Sequence, residues 1–92
     1  MSEHVLKHNQ KENKYEFHID GHIAYITYDN QDGVLHLTHT IVPDALAGKG
    51  LAKKLTIAVM NEIELQGLKV QPQCSYIVAF MEKNPEYQHL QG

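Results

Sequence analysis

The hydrophobic period of the chain first changes beside two glycines. From Val5 to Ile41 apolar residues alternate with period two, the pattern of half-buried strands. In "YEFHI" Tyr15, Phe17 and Ile19 share a face, and in "HIAYITY" Ile23, Tyr25 and Thr27 do. In "VLHLTHTIV" the alternation sets Leu35, Leu37, His39 and Ile41 on one side and His36, Thr38 and Thr40 on the other. Asp20-Gly21 is the pair favoured in a two-residue type I′ hairpin, where both central residues need positive φ. "DNQDG", Asp29 to Gly33, marks a second turn. An antiparallel meander is the expectation. Beyond Val42-Pro43 the spacing becomes helical: Leu51, Leu55, Ala58, Val59 and Ile63 recur over about four turns, and Gln66-Gly67 forms a C-cap. "LKVQPQ" reads as a short strand, and "SYIVAFMEKN" as a second helix capped by Ser75 and stopping before Pro85. A helix between the fourth strand and "LKVQPQ" is a right-handed crossover, which makes those two strands parallel neighbours. The fold class is α+β.

At 92 residues the chain holds one domain, expected over 1–92 with loose ends at 1–4 and 89–92. Its 42% hydrophobic residues are dispersed, with no run long enough for a bilayer span. The single cysteine, Cys74, has no partner for a disulfide or a CxxC metal site, which fits the reducing cytoplasm. A formal charge of -3, with no arginine, argues against nucleic acid and points to small-molecule ligands. Of the histidines, His18 and His22 flank a hairpin, His36 and His39 lie on opposite faces, and His4, His8 and His89 are expected in solvent near the ends. No set has metal-ligand spacing, so no metal is expected.

Gly48 and Gly50 stand where the helix opens. Amides of a first helical turn lack partners inside the helix, and the positive end of its dipole favours an anion. Bare glycines in front of such a turn let a phosphate approach, with Lys49, Lys53 and Lys54 adding charge. A tight turn needs the same glycines, so the spacing alone leaves both readings open. Two known phosphate loops fail: Pro43 stands where a P-loop needs its first glycine, and Lys53 where a dinucleotide fingerprint needs its third.

"HTIVPDAL" as a strand end, "AGKGLAKKL" opening a helix, then a strand and a short helix, resemble the cofactor half of the GNAT superfamily of acetyltransferases. The Q/R-x-x-G-x-G/A motif of that superfamily falls on Ala45 to Gly50, and "PQCSY" with "NPEYQ" is similar to a small GNAT-like subfamily of this length. The resemblance covers Tyr15 to Gln88. It implies a minimal GNAT-like domain with a meander, a crossover helix, a splayed parallel strand and a short C-terminal helix. It also implies acetyl-CoA as cosubstrate. Ala47, Gly48, Lys49, Gly50, Leu51 and Ala52 match the pyrophosphate loop, and Thr40, Ile41 and Val42 match the strand that pairs with the pantetheine arm. Two positions depart from the pattern. Ala45 replaces the Gln or Arg of the motif, and aligning Glu82-Lys83 with the common Glu-Lys sets Cys74 at an Asn and Met81 at the acidic Tyr. Methionine cannot protonate a leaving thiolate.

The candidate catalytic residues are therefore Cys74 and His39. A thiol just before a helix is made more acidic and can accept an acyl group, although a cysteine is also a small buried hydrophobe. His39, on the strand leading to the loop, is the candidate proton acceptor, with a structural histidine as the alternative. Tyr76 and Tyr87 offer hydroxyls or packing. Full-size members place helices between their first strands to build the acceptor site, whereas "HIDGHI" turns straight from strand to strand. The expected activity is transfer of acetyl to an amine, whether on a small molecule, a protein or a peptide, by a monomer or weak homodimer. The rival is a module that binds acyl-CoA without turnover.

Overall fold

The computed structural model describes residues 5–48 and 50–92. Five strands form one sheet in the order β1-β2-β3-β4-β5. They are β1 Leu6–Asn9, β2 Lys14–Ile19, β3 His22–Gln31, β4 Val34–Ile41 and β5 Lys69–Pro72. The first four are antiparallel neighbours, and β5 joins β4 in parallel after the crossover helix α1, Leu51–Leu65. Asp20 and Gly21 both take positive φ in the β2–β3 hairpin, as a type I′ turn requires. A 3-10 turn at Asp44–Leu46 precedes α1, the short helix α2 spans Ser75–Lys83, and a second 3-10 segment covers Pro85–Leu90. Among the described residues no helix is long and apolar enough to cross a membrane.

Both helices present their apolar stripe to the same core. Tyr15, Phe17, Ala24, Ile26, Tyr28, Leu35, Leu37 and Val70 of the sheet meet Leu55, Val59, Met60 and Ile63 of α1 and Ile77, Phe80 and Met81 of α2. Burial of each large apolar side chain stabilises by about 1.5–3 kcal/mol, so this cluster dominates the fold's stability.

Three expectations are corrected. The alternation in β4 does not run through to Ile41. Tyr28 pairs with Leu37 but Thr27 pairs with His39, so Thr38 is an extra residue in the ladder. Such a bulge inverts the faces beyond it. Leu35 and Leu37 are buried, whereas His39 and Ile41 are exposed on the other face. The C-terminus is also tied down: Leu90 is buried, Gln91 bridges to Val70, and the Gly92 amide donates to Val70 O at 2.9 Å. Residues 1–4, including His4, lie outside the described residues. Finally, His8 is a packed residue. Its ring stacks on Tyr15 at 4.2 Å between centroids and hydrogen bonds the Tyr28 hydroxyl. His89 is exposed as expected, and its Nε2 meets Glu64 at 2.8 Å.

Candidate active site

The site begins where β5 leaves β4. Their pairing runs from Val34–Lys69 to Leu37–Pro72, and there the amides of Gln73 and Cys74 both donate to Leu37 O, at 3.1 and 3.0 Å. Pro72 is tolerated here because the donors toward β4 are Lys69 and Gln73, so its missing N–H faces away from that strand. Thr38 to Ile41 keep β3 on one side and, among the described residues, have no ladder partner on the other. The open edge thus lies on Thr40 and Ile41, with Val42 next along the chain.

The loop that follows is pinned by one side chain. Leu46, 1% exposed, plugs into the core, and the Leu46 and Ala47 amides close the 3-10 turn onto Pro43 O and Asp44 O. Gly48 and Gly50 then adopt φ of +79° and +68°, a region that costs other L-residues about 1–2 kcal/mol. A Cβ built on either would meet nothing within 4 Å. The positive φ values establish the tight turn, and the space in front of both glycines is compatible with the phosphate reading. Gly50 is the N-cap of α1 and supplies no side-chain cap, and the first turn carries no acidic residue. Among the described residues no side chain caps its first-turn amides. Val42, Leu46, Ala47, Gly48, Gly50, Leu51 and Ala52 line a cavity of about 340 Å³. Lys49 lies outside the described residues.

Cys74 itself caps α2, with extended backbone at φ -74° and ψ 135°, and Ser75 is the first helical residue rather than the cap. The thiol is half-buried, and its Sγ donates to Thr40 Oγ1 at 3.7 Å. The bulge makes this contact possible by turning Thr40 inward. Burial pushes the thiol up, but the Ile77 amide, the Thr40 hydroxyl and the Tyr76 amide act the other way. Together they hold Cys74 below its ordinary value of 9.0. Sγ makes no capping bond of ordinary geometry, so these amides act on the sulfur through the field at the helix end.

His39 is not brought against Cys74. The exposed ring shows Nδ1 to the Thr27 hydroxyl at 3.3 Å, and that hydroxyl meets Thr38 Oγ1 at 2.6 Å. His39 and Thr40 point to opposite faces of β4, so the base candidate and the thiol flank the strand. Met81 is buried in the core, and Tyr87 packs its ring against Phe80 at 5.6 Å. Tyr76 is 37% exposed at the first turn of α2. Sequence reasoning missed the Thr38 bulge, the Leu46 plug and the Thr40 contact. Only Leu46 left a signal, as a lone large apolar residue in a loop.

A family model described as GCN5-related N-acetyl-transferase matches residues 14–90. The chain is 32% identical over 89 residues to Protein NATD1 of Xenopus tropicalis, covering 94% of this chain and 82% of that protein. It is 30% identical over 89 residues to Protein NATD1 of Gallus gallus, at 94% and 81% coverage. Among solved structures, a GCN5-like protein from Staphylococcus aureus superposes with a TM-score of 0.74 at 33% identity, covering 100% of this chain and 91% of that one.

Proposed function

The chain belongs to the GCN5-related N-acetyltransferase family, and on that premise we propose that it binds acetyl-CoA at the loop Ala47–Ala52 and transfers the acetyl group to an amine. The observation that carries this reading is the parting of β4 from β5 directly beside an uncapped helix start. The loop amides take the pyrophosphate, as anion sites at helix N-termini do. The open edge from Thr40 to Val42 takes the amide-bearing pantetheine arm as a further strand. A Cβ at Gly48 or Gly50 would meet nothing within 4 Å among the described residues, which leaves room in front of the loop amides.

Acetyl-CoA supplies an acyl group activated as a thioester. The Cys74 thiolate, favoured by Thr40 and the start of α2, attacks the carbonyl. A carbon–sulfur bond to Cys74 forms, and CoA leaves as its thiolate. A neutral amine then attacks this acetyl-thiol, a C–N bond forms, and the Cys74 thiolate is released. The amine proton passes to a base. His39 stands on the opposite face of β4 from Cys74, with Nδ1 engaged by Thr27, so it serves as that base only through water passing round the open strand edge. No tyrosine is needed as acid in this route, because a thiolate leaving group in water needs no proton to depart. The second face of the sheet, with Ile23 and Ile41 exposed, leaves the acceptor side uncovered and suits an amine carried on a protein or peptide.

Titration with acetyl-CoA, read at the backbone amides of Gly48, Gly50 and Cys74, tests the binding step. Saturable shifts at all three are expected, followed by acetyl-enzyme detectable by intact mass and lost in Cys74→Ala. Binding without acetylation, and without CoA release on addition of amines, assigns the protein to the non-catalytic class, for which the burial of Met81 at the acid position is the supporting observation. No shift at the glycines overturns the reading.

A further inference from the structure

The bulge at Thr38 sets two side chains of β4 against one of β3. Thr27 alternates with the buried Ile26 and Tyr28, so it lies on the sheet face away from the helices. Thr38, half-buried, and His39, exposed, both reach its hydroxyl. Thr38 Oγ1 is 2.6 Å and His39 Nδ1 3.3 Å from Thr27 Oγ1, and Thr38 Oγ1 also donates to the Thr27 carbonyl at 3.4 Å. We propose that Thr38 is a positioning residue which, through Thr27, holds His39 in the tautomer with its proton on Nδ1 and its lone pair on Nε2. The proposal rests on the acetyltransferase reading with His39 as the base.

With each proton given one acceptor, only one placement uses all three contacts. A threonine hydroxyl donates one proton and accepts at two lone pairs, a backbone carbonyl only accepts, and a neutral imidazole has a proton on one nitrogen and a lone pair on the other. The Thr27 carbonyl takes the Thr38 proton. The contact of 2.6 Å between the hydroxyls then requires the Thr27 proton, because two oxygen lone pairs at that distance repel. With its one proton placed there, Thr27 Oγ1 can only accept from the ring, and Nδ1 is the protonated nitrogen. The reverse order, Thr38 to Thr27 to His39, leaves the contact with the Thr27 carbonyl unused.

The consequence is a choice of nitrogen. His39 stands on the other face of β4 from Cys74, so the proton lost by the attacking amine arrives through water. With Nδ1–H held by Thr27, the Nε2 lone pair takes that proton, the ring becomes an imidazolium, and the Thr27 contact does not change. Nε2 then returns the proton to water. In the other tautomer Nε2 already carries a proton, and the lone pair on Nδ1 is covered by the Thr27 hydroxyl. The hydrogen bond made by one ring nitrogen decides what the other can do. The bulge makes this bond possible, because a regular ladder would set Thr38 opposite Thr27 and turn His39 to the other face.

The test reads the tautomer from the imidazole nitrogen chemical shifts at about pH 8.5, well above the ordinary histidine pKa of ~6.5, with the His39 signals identified by their loss in His39→Gln. Expected in the unaltered protein are a protonated Nδ1 and an unprotonated Nε2. Thr38→Val keeps the branched shape but removes the acceptor of the Thr27 proton, which then turns to Nδ1 and moves the ring to the Nε2–H form. Thr38→Ser should keep the Nδ1–H form. CoA release from acetyl-CoA, with lysine, spermidine and a lysine peptide as probe amines, should fall about tenfold in kcat for Thr38→Val, with KM for acetyl-CoA unchanged, and be retained in Thr38→Ser. An Nε2–H ring in the unaltered protein overturns the proposal and leaves the acetyltransferase reading standing. An Nδ1–H ring that persists in Thr38→Val overturns the role given to Thr38. A tautomer shift with unchanged kcat overturns its link to the reaction. No CoA release by the unaltered protein overturns the acetyltransferase reading, and the proposal with it.

Discussion

His8 and Cys74 sit at opposite edges of the sheet, on β1 and just beyond β5, both ionise below their ordinary range, and the causes are opposite. At the β1 edge, burial against Tyr15 and Tyr28 lowers His8, and Glu62 acts the other way. The same desolvation pushes Tyr15 up to about 12, and its buried hydroxyl has no hydrogen-bond partner among the described residues. Here the surroundings deny charge. At the other edge burial also works against the charged thiol, but the α2 amides and Thr40 outweigh it. There the surroundings accept charge. A low pKa is therefore not in itself a sign of reactivity. His8 is kept neutral, as packing requires, whereas Cys74 is kept toward the nucleophilic form.

The contrast runs through β4 itself. Its first half, Val34 to Leu37, is paired on both sides, and its second half, Thr38 to Ile41, on one. The largest expected effect separates the halves. Leu37→Ala removes a fully buried side chain and should cost about 2–5 kcal/mol in urea denaturation. Ile41→Ala, at a residue 41% exposed, should cost less than about 1 kcal/mol. Similar losses at both would mean that the open half is built into the core after all.

A second test uses glycines at the two ends of α1. Gly48, Gly50 and Gly67 all take positive φ, and a Cβ on any of them meets nothing within 4 Å. Alanine at each should lower stability by a similar amount, about 1–2 kcal/mol, from backbone strain alone. Acetyl-CoA affinity should separate them: a drop of about tenfold or more for Gly48→Ala and Gly50→Ala, whose new methyl groups enter the approach to the loop, and none for Gly67→Ala. Equal affinities across the three variants would reduce the loop glycines to turn formers.

Most of the sheet order, both helices and the parallel β4–β5 step could be read from periodicity, because each depends on a local pattern: Asp20-Gly21 at a hairpin, Leu51, Leu55, Val59 and Ile63 on a helix face, Pro85 after a helix. The loop could be read for the same reason. What could not be read depended on a partner distant in the chain. Thr38 is an unremarkable β-former in "HLTHTI", and only its mismatch against Thr27 and Tyr28 turns it into a bulge. The error this caused was large for the site, since it set His39 with Leu37 and Thr40 on the outside. Likewise His8 looked like tail until the register with Tyr15 placed it in an aromatic stack. The C-terminal segment gave no sequence cue for its bridge to Val70.

A third test concerns the thiol directly. Iodoacetamide reacts with the thiolate, so its rate against pH should rise with a midpoint below 9.0 in the unaltered protein. Thr40→Val removes one of the groups that favour the thiolate, and the midpoint should move up toward the ordinary value while the fold stays intact. An unchanged midpoint would assign the effect to the helix end alone and remove Thr40 from the account.

The smallest effect is expected at the opposite edge, and its sign follows from the cause. His8 has a folded-state pKa below its ordinary value of 6.5 because burial disfavours the charged ring. Above about pH 6.5 the imidazole is neutral in both folded and unfolded chains and the packing contribution is fully present. As pH falls below that value the unfolded chain binds the proton first, so stability declines until the folded pKa is also passed. His8→Phe keeps an aromatic ring on Tyr15 but has no proton to take up. Its stability should therefore fall less than that of the unaltered protein over this window, by less than about 1 kcal/mol given the partial burial of the ring. Glu16, held below the usual carboxylate range chiefly by its bond to His18 at 2.7 Å, loses its contribution only at lower pH and should do so equally in both proteins. A steeper decline in His8→Phe would show that the histidine is charged in the folded state, and the opposition between the two edges of the sheet would collapse.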